Sequence, residues 1–461
     1  MKLSAALRLA ELPRLALVGA GGKSSAMFWL ATELVEAGRT PLITTTTHLG
    51  AWQVDACDVH LLIQKAQDIS HEADFPNGIV VLTGLQTDKR RYRGLEGESL
   101  EALHGFADQF LLPLLIEADG ARLLPLKAPA EHEPAIPGFV DSVVVCAGLQ
   151  GLGKPLTGEW VFRPEKFSRL SGLSEEELVT PEALSRVLVH PQGGLKDIPP
   201  DAHRILLLNQ ADTPERQAQA REIALQVEQA YHSVVIANLP LLPGEDSIAL
   251  NPPLDQPEIY GVHEPVAGII LAAGGASRYG SLKQLLEWQG CPLVRHAALT
   301  ALQAGLSPVV VVTGAGAELV AEALSGLPVR QVYNPAWQQG QSTSLQAGLR
   351  VLPPTSSGAI FLLADQPNIT PGLIQALVEA HSQSMAPIAA PLVDGQRGNP
   401  VLFDAVTFGD LLQLSGDAGG RQLFRKYPLQ YVPWHDRSVL LDIDTPEALT
   451  RLSGEDGVLD E

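Results

Sequence analysis

Two segments constrain this chain more than any others. A short apolar run, a cluster of glycines and a helical pattern follow one another in LALVGAGGKSSAMFWLATELVEAG, from Leu15, and again in VAGIILAAGGASRYGSLKQLLEW, from Val266. A strand, a glycine-rich turn and a helix form a unit that binds phosphate at the helix N-terminus, because the first-turn N–H groups have no partner inside the helix. Each half of the chain is therefore expected to open with such a unit. Between them, LPLLPGEDSIALNPPLDQPEIYGVHEP, from Leu239 to Pro265, gathers prolines and acids without helical or strand periodicity. The boundary is placed there, with one domain over 1–250 and a second over 265–461.

Other apolar runs read as strands. They are PLITTTT, GIVVLTG, LLPLLIEADG, SVVVCAG and RILLLNQAD in the first part, and SPVVVVTGA, GAIFLLADQP, MAPIAAPLV and the ending SVLLDIDTP in the second. Strands apolar on both faces and alternating with helices imply an α/β fold with mainly parallel sheets, and ligands at the carboxyl ends of the strands.

Charge narrows the ligands. With 32 basic against 52 acidic side chains the formal net charge is −20, which repels nucleic acid and leaves a phosphate-bearing ligand to be held locally, by backbone N–H groups, a few cations and a metal ion. Cys57, Cys146 and Cys291 form no C-x-x-C pair, so neither a disulfide framework nor a thiolate zinc site is indicated. No signal peptide and no membrane-length apolar run is read, and a cytoplasmic location is expected.

In the second part, LAAGGASRYGSLKQLL places Gly274, Gly275 and Gly280 around a turn, with Arg278 and Lys283 on or near it. Glycines let N–H groups approach a triphosphate, and the cations offset charge on departing pyrophosphate. GAIFLLADQP ends in Asp365, placed to hold a Mg²⁺ that bridges phosphates. LLDIDTPEAL contributes Asp442 and Asp444; Asp444 reads equally as a metal ligand or as the N-cap of a following helix, and Asp442 alternates with it across the strand. In GQSTSLQAGL, Ser342, Thr343 and Ser344 begin another helix, and capping accounts for one of the three hydroxyls.

The order of motifs LAAG-x-x-x-R-x-G-x-x-K, GQSTSLQAGL, ADQP, RGNPVLF, GDAGGR and DIDTP resembles the molybdenum cofactor cytidylyltransferases over about residues 265 to 452. The resemblance implies a Rossmann-like nucleotidyltransferase fold and transfer of CMP from CTP to the terminal phosphate of molybdopterin, with release of pyrophosphate. It places Ala272, Ala273, Gly274, Arg278 and Lys283 in the CTP loop, Ser344 near the base and Asp365 on Mg²⁺. Asn399 and Pro400 fall where a pterin pocket is expected, and read equally as a turn. The Ala-Ala-Gly start looks like the cytidylyl rather than the guanylyl branch. Ala276 stands where the family usually carries Ser, with Ser277 one place later.

In the first part, GAGGKSS lacks the common G-x-x-x-x-G-K-S spacing, since Leu17 sits at the first glycine position, but matches the shorter G-x-x-G-K-[ST] loop. This P-loop-like reading gives Gly19, Gly22 and Lys23 to phosphates and Ser24 to Mg²⁺. LLPLLIEADG ends with Glu117 and Asp119, and Asp119 is read as a metal ligand. RILLLNQAD ends with Asn209 and Asp212, which resembles the N-K-x-D element of GTPases, with Gln210 in place of Lys; Asp212 would then read a purine base. Thr44 to Thr47 and His48 close another strand and either meet phosphate or simply suit a strand and a hydrogen-bonded structural role. GAGGKSS, TTTTHLG, EADGAR with PLKAP, and NQAD together resemble the YqeC family, accessory proteins of selenium-dependent molybdenum hydroxylases. The expected whole is a cytidylyltransferase fused to an accessory domain that binds a purine nucleotide, as a GTPase or ATPase, with an apo-hydroxylase as protein partner. Two alternatives stay open: a nucleotidyltransferase acting on a sugar or methylerythritol phosphate, and a non-catalytic nucleotide-gated cofactor carrier.

Overall fold

Runs of leucine and β-branched residues without a polar break are satisfied as strands covered on both faces. The computed structural model, which describes residues 1–69, 77–240, 256–275, 282–417 and 419–443, places them so. The chain divides into two α/β units, Met1–His263 and Glu264–Glu461.

The first unit is built on a nine-stranded sheet. Its strands are β1 (Arg14–Gly19), β2 (Leu42–Thr45), β3 (Val59–Leu62), β4 (Val80–Thr83), β5 (Leu114–Glu117), β6 (Ser142–Gly148), β7 (His203–Asn209), β8 (Ser233–Asn238) and β9 (Glu258–His263), in the spatial order β9-β8-β7-β6-β1-β5-β2-β4-β3. All pairs are parallel except β8 with β9. β1 lies between β5 and β6, so strand order reverses at its carboxyl end, where an open α/β sheet leaves a crevice. The register brings polar strand ends to that edge: Gly19 beside Cys146, Leu17 beside Glu117, Thr45 beside Glu117 and Gly148 beside Asn209. Helix α1 (Lys23–Glu36) starts directly after the glycines.

Residues 258–263, read from sequence as part of the connection, form β9 and extend the first unit past residue 250 to His263. An edge strand is covered on one side only and is half exposed here, and prolines flank it at 257 and 265. It therefore lacks the apolar signal of the inner strands.

In the second unit the sheet has eight strands. They are β10 (Val266–Ala272), β11 (Val309–Thr313), β12 (Arg330–Tyr333), β13 (Gly358–Leu363), β14 (Ile388–Val393), β15 (Gln396–Arg397), β16 (Val401–Asp404) and β17 (Leu429–Pro433). Their order is β12-β11-β10-β13-β16-β14-β15, with β17 paired to β14. β10 runs parallel between β11 and β13, with Ala272 opposite Thr313 and Leu271 opposite Leu363. The ending SVLLDIDTP is not a strand in its described part. Arg437–Leu440 is a short 3₁₀ turn, started by Asp436, whose side chain accepts from Ser438 N–H at 2.8 Å. The strand alternation of Asp442 with Asp444 thus has no basis, and Asp444 lies outside the described residues. Among the described residues no helix is long and apolar enough to cross a membrane, and none of the three cysteines is bridged.

At the amino end of β7 the rings of His203 and His232 stack at 4.7 Å, and His203 Nε2 is buried without a hydrogen-bond partner. Burial first, then the neighbouring His232, Arg8 and Arg204, push the His203 pKa down to about 4. The unfolded chain, with an ordinary histidine near ~6.5, binds a proton in that interval that the folded chain excludes. The contribution is complete above the unfolded value and is lost as pH falls toward the folded one. Replacing His203 with Phe should flatten the loss of first-unit stability between pH 7 and 5, read from hydrogen exchange of β7 and β8. An unchanged pH slope would contradict this.

Candidate functional sites

In the first unit the loop from Gly19 to Ser25 is fixed from below. Gly19 and Gly22 have φ of +93° and +137°, and a Cβ at either would lie 2.2 Å from Cys146 O or 2.1 Å from Asn209 Nδ2. Only glycine fits such close approach in that conformation. Asn209, 2% exposed, donates to Gly21 O at 2.9 Å and accepts from Leu239 N–H at 2.9 Å. It is a tie for the loop, not a base reader. Helix α1 has no side-chain N-cap, so its first N–H groups remain directed at the crevice.

The loop cation is held inward. Lys23 Nζ donates to Gly19 O at 2.7 Å and lies 3.2 Å from Asp119 and 3.9 Å from Glu117. Burial opposes its charge, but Asp119 and Glu117 outweigh burial and raise its pKa. Asp119 also accepts from Gly19 N–H at 3.1 and 3.0 Å and from Lys127 Nζ at 2.7 Å. Lys127 then reaches Glu133 at 3.1 Å, and Arg163 reaches Glu133 at 2.8 Å. Burial lowers the Lys127 pKa, with Asp119 opposing; for Glu133, Lys127 and Arg163 outweigh burial and hold its pKa down.

This chain of alternating charges corrects the reading of Asp119 as a metal ligand. Both of its oxygens are committed to a backbone N–H and two ammonium groups, in a site 2% exposed. Glu117 is the carboxylate that faces the cleft. Its Oε2 lies 3.4 Å from Ser24 Oγ and accepts from Gln53 Nε2 at 3.2 Å, while Gln53 also donates to Ser24 Oγ at 2.8 Å. Burial first, with Asp119 adding, raises its pKa.

These groups open into a cleft of about 1050 Å³. Thr47 and His48 line it, whereas the hydroxyls of Thr44 and Thr45 are buried on the carbonyls of Leu82 and Glu117 at 2.8 and 2.7 Å. Asp212 does not line it. Its carboxylate pairs with Arg216 one turn along helix α2 (Pro214–Val227), which removes the basis for reading it as the base-binding acid. Gln210 does line it, at φ +65°, with a buried side-chain oxygen that has no hydrogen-bond partner.

In the second unit the glycine turn after β10 is gripped by a residue the motifs did not single out. Gln284, 4% exposed, places Nε2 3.2 Å from the carbonyls of Ala272 and Gly274 and 3.3 Å from that of Ala315. The short turn Lys283–Leu285 carries it, so Lys283 is tied to the loop through its neighbour. Ala272 and Ala273 are buried, which leaves their backbone as the part a ligand could meet. The indole of Trp337 lies against the loop: a Cβ at Gly275 would come within 2.7 Å of it. Arg278 and Gly280, with Ala276 and Ser277, lie outside the described residues.

Asn334, 3% exposed, donates to Thr343 Oγ1 at 2.8 Å and Ser344 Oγ at 3.0 Å, at the start of helix α3 (Gln341–Leu349). The N-cap is Gly340, so none of the three hydroxyls is the cap. Asp365 follows β13 by two residues, on the edge of the glycine turn. Its carbonyl accepts from Ile443 N–H at 3.0 Å, and Gln366 donates to the exposed Asp442, so residues 442–443 lie along 365–366. Asn399 and Pro400 sit in the turn between β15 and β16, which enters the sheet opposite Phe361 near the same edge. Among the described residues no group of three or more His, Cys, Asp or Glu side chains is arranged to hold a metal by itself.

The ion chain makes a quantitative expectation. Asp119→Ala leaves two buried ammonium groups without their shared acceptor, and breaking a buried pair costs about 3–5 kcal/mol. Hydrogen exchange of β1, β5 and β6 in the full chain should report that loss in the first unit alone; a change under about 1 kcal/mol would mean the chain is dispensable.

Residues 15–165 match the family described as YqeC protein, and residues 268–432 match the MobA-like NTP transferase domain. The chain is 32% identical to the uncharacterized protein YqeC of Escherichia coli (strain K12) over 219 residues, 47% of this chain and 82% of that protein. It is 34% identical to nicotine blue oxidoreductase of Paenarthrobacter nicotinovorans over 197 residues, 41% of this chain and 96% of that protein. It is 28% identical to molybdenum cofactor cytidylyltransferase of Escherichia coli (strain K12) over 181 residues, 39% of this chain and 91% of that protein. A crystal structure of Rv0371c from Mycobacterium tuberculosis H37Rv in complex with manganese is 27% identical and covers 41% of this chain and 97% of its own, with a TM-score of 0.35. The glycine loop, Glu117 and the ion chain therefore belong to a member of the YqeC family, and the same chain continues into a MobA-like nucleotidyltransferase domain related to molybdenum cofactor cytidylyltransferase.

Proposed function

We propose that the second unit transfers CMP from CTP to the terminal phosphate of molybdopterin, and that the first unit is an accessory module, binding a purine nucleotide, for maturation of a molybdenum hydroxylase. The observation that carries the transfer is the parallel placement of β10 between β11 and β13, which brings the glycine turn, Lys283 and Asp365 to one sheet edge. An ionised phosphate oxygen of the acceptor attacks the α-phosphorus of CTP. As that P–O bond forms, the bond to the bridging oxygen breaks and its electron pair leaves with pyrophosphate. The nucleophile is already charged at neutral pH, so the protein's work is alignment and charge neutralisation.

Asp365 and Asp442 are hard oxygen donors that suit Mg²⁺, which keeps several waters and needs only one or two carboxylates besides phosphates. When bound, Mg²⁺ would neutralise phosphate charge. Lys283 and Arg278 would meet the charge of the leaving pyrophosphate, backbone N–H groups of Ala273 to Gly275 the triphosphate, Ser344 the base and Asn399 the acceptor. In the first unit, Gly19, Gly22 and the α1 N-terminus would hold phosphates, with Ser24 and Glu117 toward Mg²⁺. The unpartnered Gln210 oxygen is an acceptor for a base N–H. The reading assigns no guanine selectivity to Asp212.

Pyrophosphate release from CTP and molybdopterin, with the dinucleotide product identified by mass spectrometry, tests the transfer; a mainly guanine dinucleotide product in competition with GTP would reverse the base choice. Asp365→Ala should nearly abolish turnover with the fold intact, and activity within threefold of wild type would remove it from the site. Lys283→Ala should cost about tenfold or more in kcat/KM, at least ~1.4 kcal/mol of transition-state stabilisation. Calorimetry with ATP and GTP in Mg²⁺ tests the first unit, and silence from both at millimolar concentration would leave its loop structural.

A further inference from the structure

We propose that the cleft of the first unit holds a second ligand, a phosphorylated planar heterocycle, on the wall formed by Arg122, Phe162 and Arg163, with Lys89, Arg90 and Arg91 lining the same cleft. The claim of two ligands in one cleft rests on the reading of Gly19–Ser25 as a phosphate loop; the second subsite stands on its own observations.

Space is the first of these. At about 1050 Å³ the cleft lies at the upper end of the ~300 to ~1,000 Å³ spanned by pockets for a drug-sized molecule, so its size admits a ligand beyond the glycine loop. Charge is the second. Lys23 and Arg163 are neutralised within the ion chain, but Lys89, Arg90, Arg91 and Arg122, all exposed and all lining the cleft, have no carboxylate partner among the described residues. In a chain of formal charge −20, four unpaired cations around one cavity raise the local concentration of anions there. The acids that share the lining are Glu117 and Glu133, both already engaged, and the exposed Glu159.

Shape is the third. The Phe162 ring has the Arg163 guanidinium 4.1 Å and the Arg122 guanidinium 5.0 Å from its centroid, and Trp160 stands beside it in the lining. Planar cations and aromatic faces stack a flat ring system. Strain is the fourth. Arg122, Leu123 and Arg163 all adopt left-handed backbone, with φ of +52°, +61° and +64°. Such conformations in residues with a side chain cost of order 1 kcal/mol or more each and gather at ligand sites. Arg163 is further locked by hydrogen bonds to Glu133 at 2.8 Å and to Ala128 O at 3.3 Å, so its guanidinium is pre-positioned on the ring.

Titration of the full chain with flavin mononucleotide, a fluorescent planar phosphorylated heterocycle used as probe, tests the subsite. Wild type should bind it, and riboflavin, the same ring without phosphate, should bind at least tenfold more weakly. Arg122→Gly suits the left-handed backbone, so melting temperature should hold or rise while flavin mononucleotide affinity falls at least tenfold. Arg90→Ala with Arg91→Ala should weaken binding and flatten its dependence on salt. ATP with Mg²⁺ should bind alongside the probe, with its own affinity unchanged by Arg122→Gly. No binding by wild type at millimolar probe, equal affinity for riboflavin, an unaffected Arg122→Gly, or mutual exclusion of probe and ATP would each overturn the proposal. Silence of both purine nucleotides while the probe still depends on Arg122 would instead sink the phosphate-loop reading and keep the subsite.

Discussion

Everything at the carboxyl edge of the first sheet depends on a carboxylate that never reaches solvent. Asp119 takes the N–H of Gly19 and the ammonium groups of Lys23 and Lys127 at once, and so fixes where β1 ends and how the glycine loop begins. Lys127 and Glu133 carry the same order across to Arg163. Three cations, Lys23, Lys127 and Arg163, balance three carboxylates, Glu117, Asp119 and Glu133. Burying ions is costly unless every charge is paired and hydrogen-bonded, and a balanced chain meets that condition. A balanced chain also has no positive charge to spare. A triphosphate entering at the loop would find N–H groups but no net cation within that chain.

The two units solve the same local problem with the same chemistry. A glycine loop that approaches a ligand closely has no side chains of its own to hold it, so its shape must come from outside. In the first unit the buried carboxamide of Asn209 donates to Gly21 O; in the second, the buried carboxamide of Gln284 meets Gly274 O and Ala272 O. A carboxamide can grip a carbonyl without bringing charge to a site whose N–H groups must stay open to an anion. Asn334 does the same for the hydroxyls at the start of α3.

What was legible in the sequence is what short range decides. Inner strands announce themselves as apolar runs, and glycines between strand and helix mark a turn that needs their backbone freedom, so both α/β units could be read directly. Partners from distant segments could not. Nothing in EADG and PLKAP says that Asp119 meets Lys127 or that Glu117 is the carboxylate left toward the cleft; their position two residues apart at a strand end gives both the same claim on a metal. NQAD resembles a base-reading element, but Asn209 turns to the loop and Asp212 to Arg216. Strand β9 and the turn at Arg437–Leu440 escaped for the opposite reason, because a half-exposed edge and a capped 3₁₀ turn carry weak or misleading apolar patterns.

The division of labour between Glu117 and Asp119 follows from what each can reach. Asp119 stands past the end of β5, where the N–H of Gly19, across β1, and the ammonium of Lys127 close around it. Glu117 is the last residue of the strand itself, beside Thr45 of β2 on one side and Leu17 of β1 on the other. Its oxygens meet an amide and a hydroxyl, and one lysine at 3.9 Å. A carboxylate held by rigid N–H and buried ammonium groups is structural, because displacing it strands two charges. Glu117 is held instead by Gln53 and Ser24, and burial first, with Asp119 adding and Lys23 opposing, raises its pKa, so its proton is held more readily than that of an exposed carboxylate.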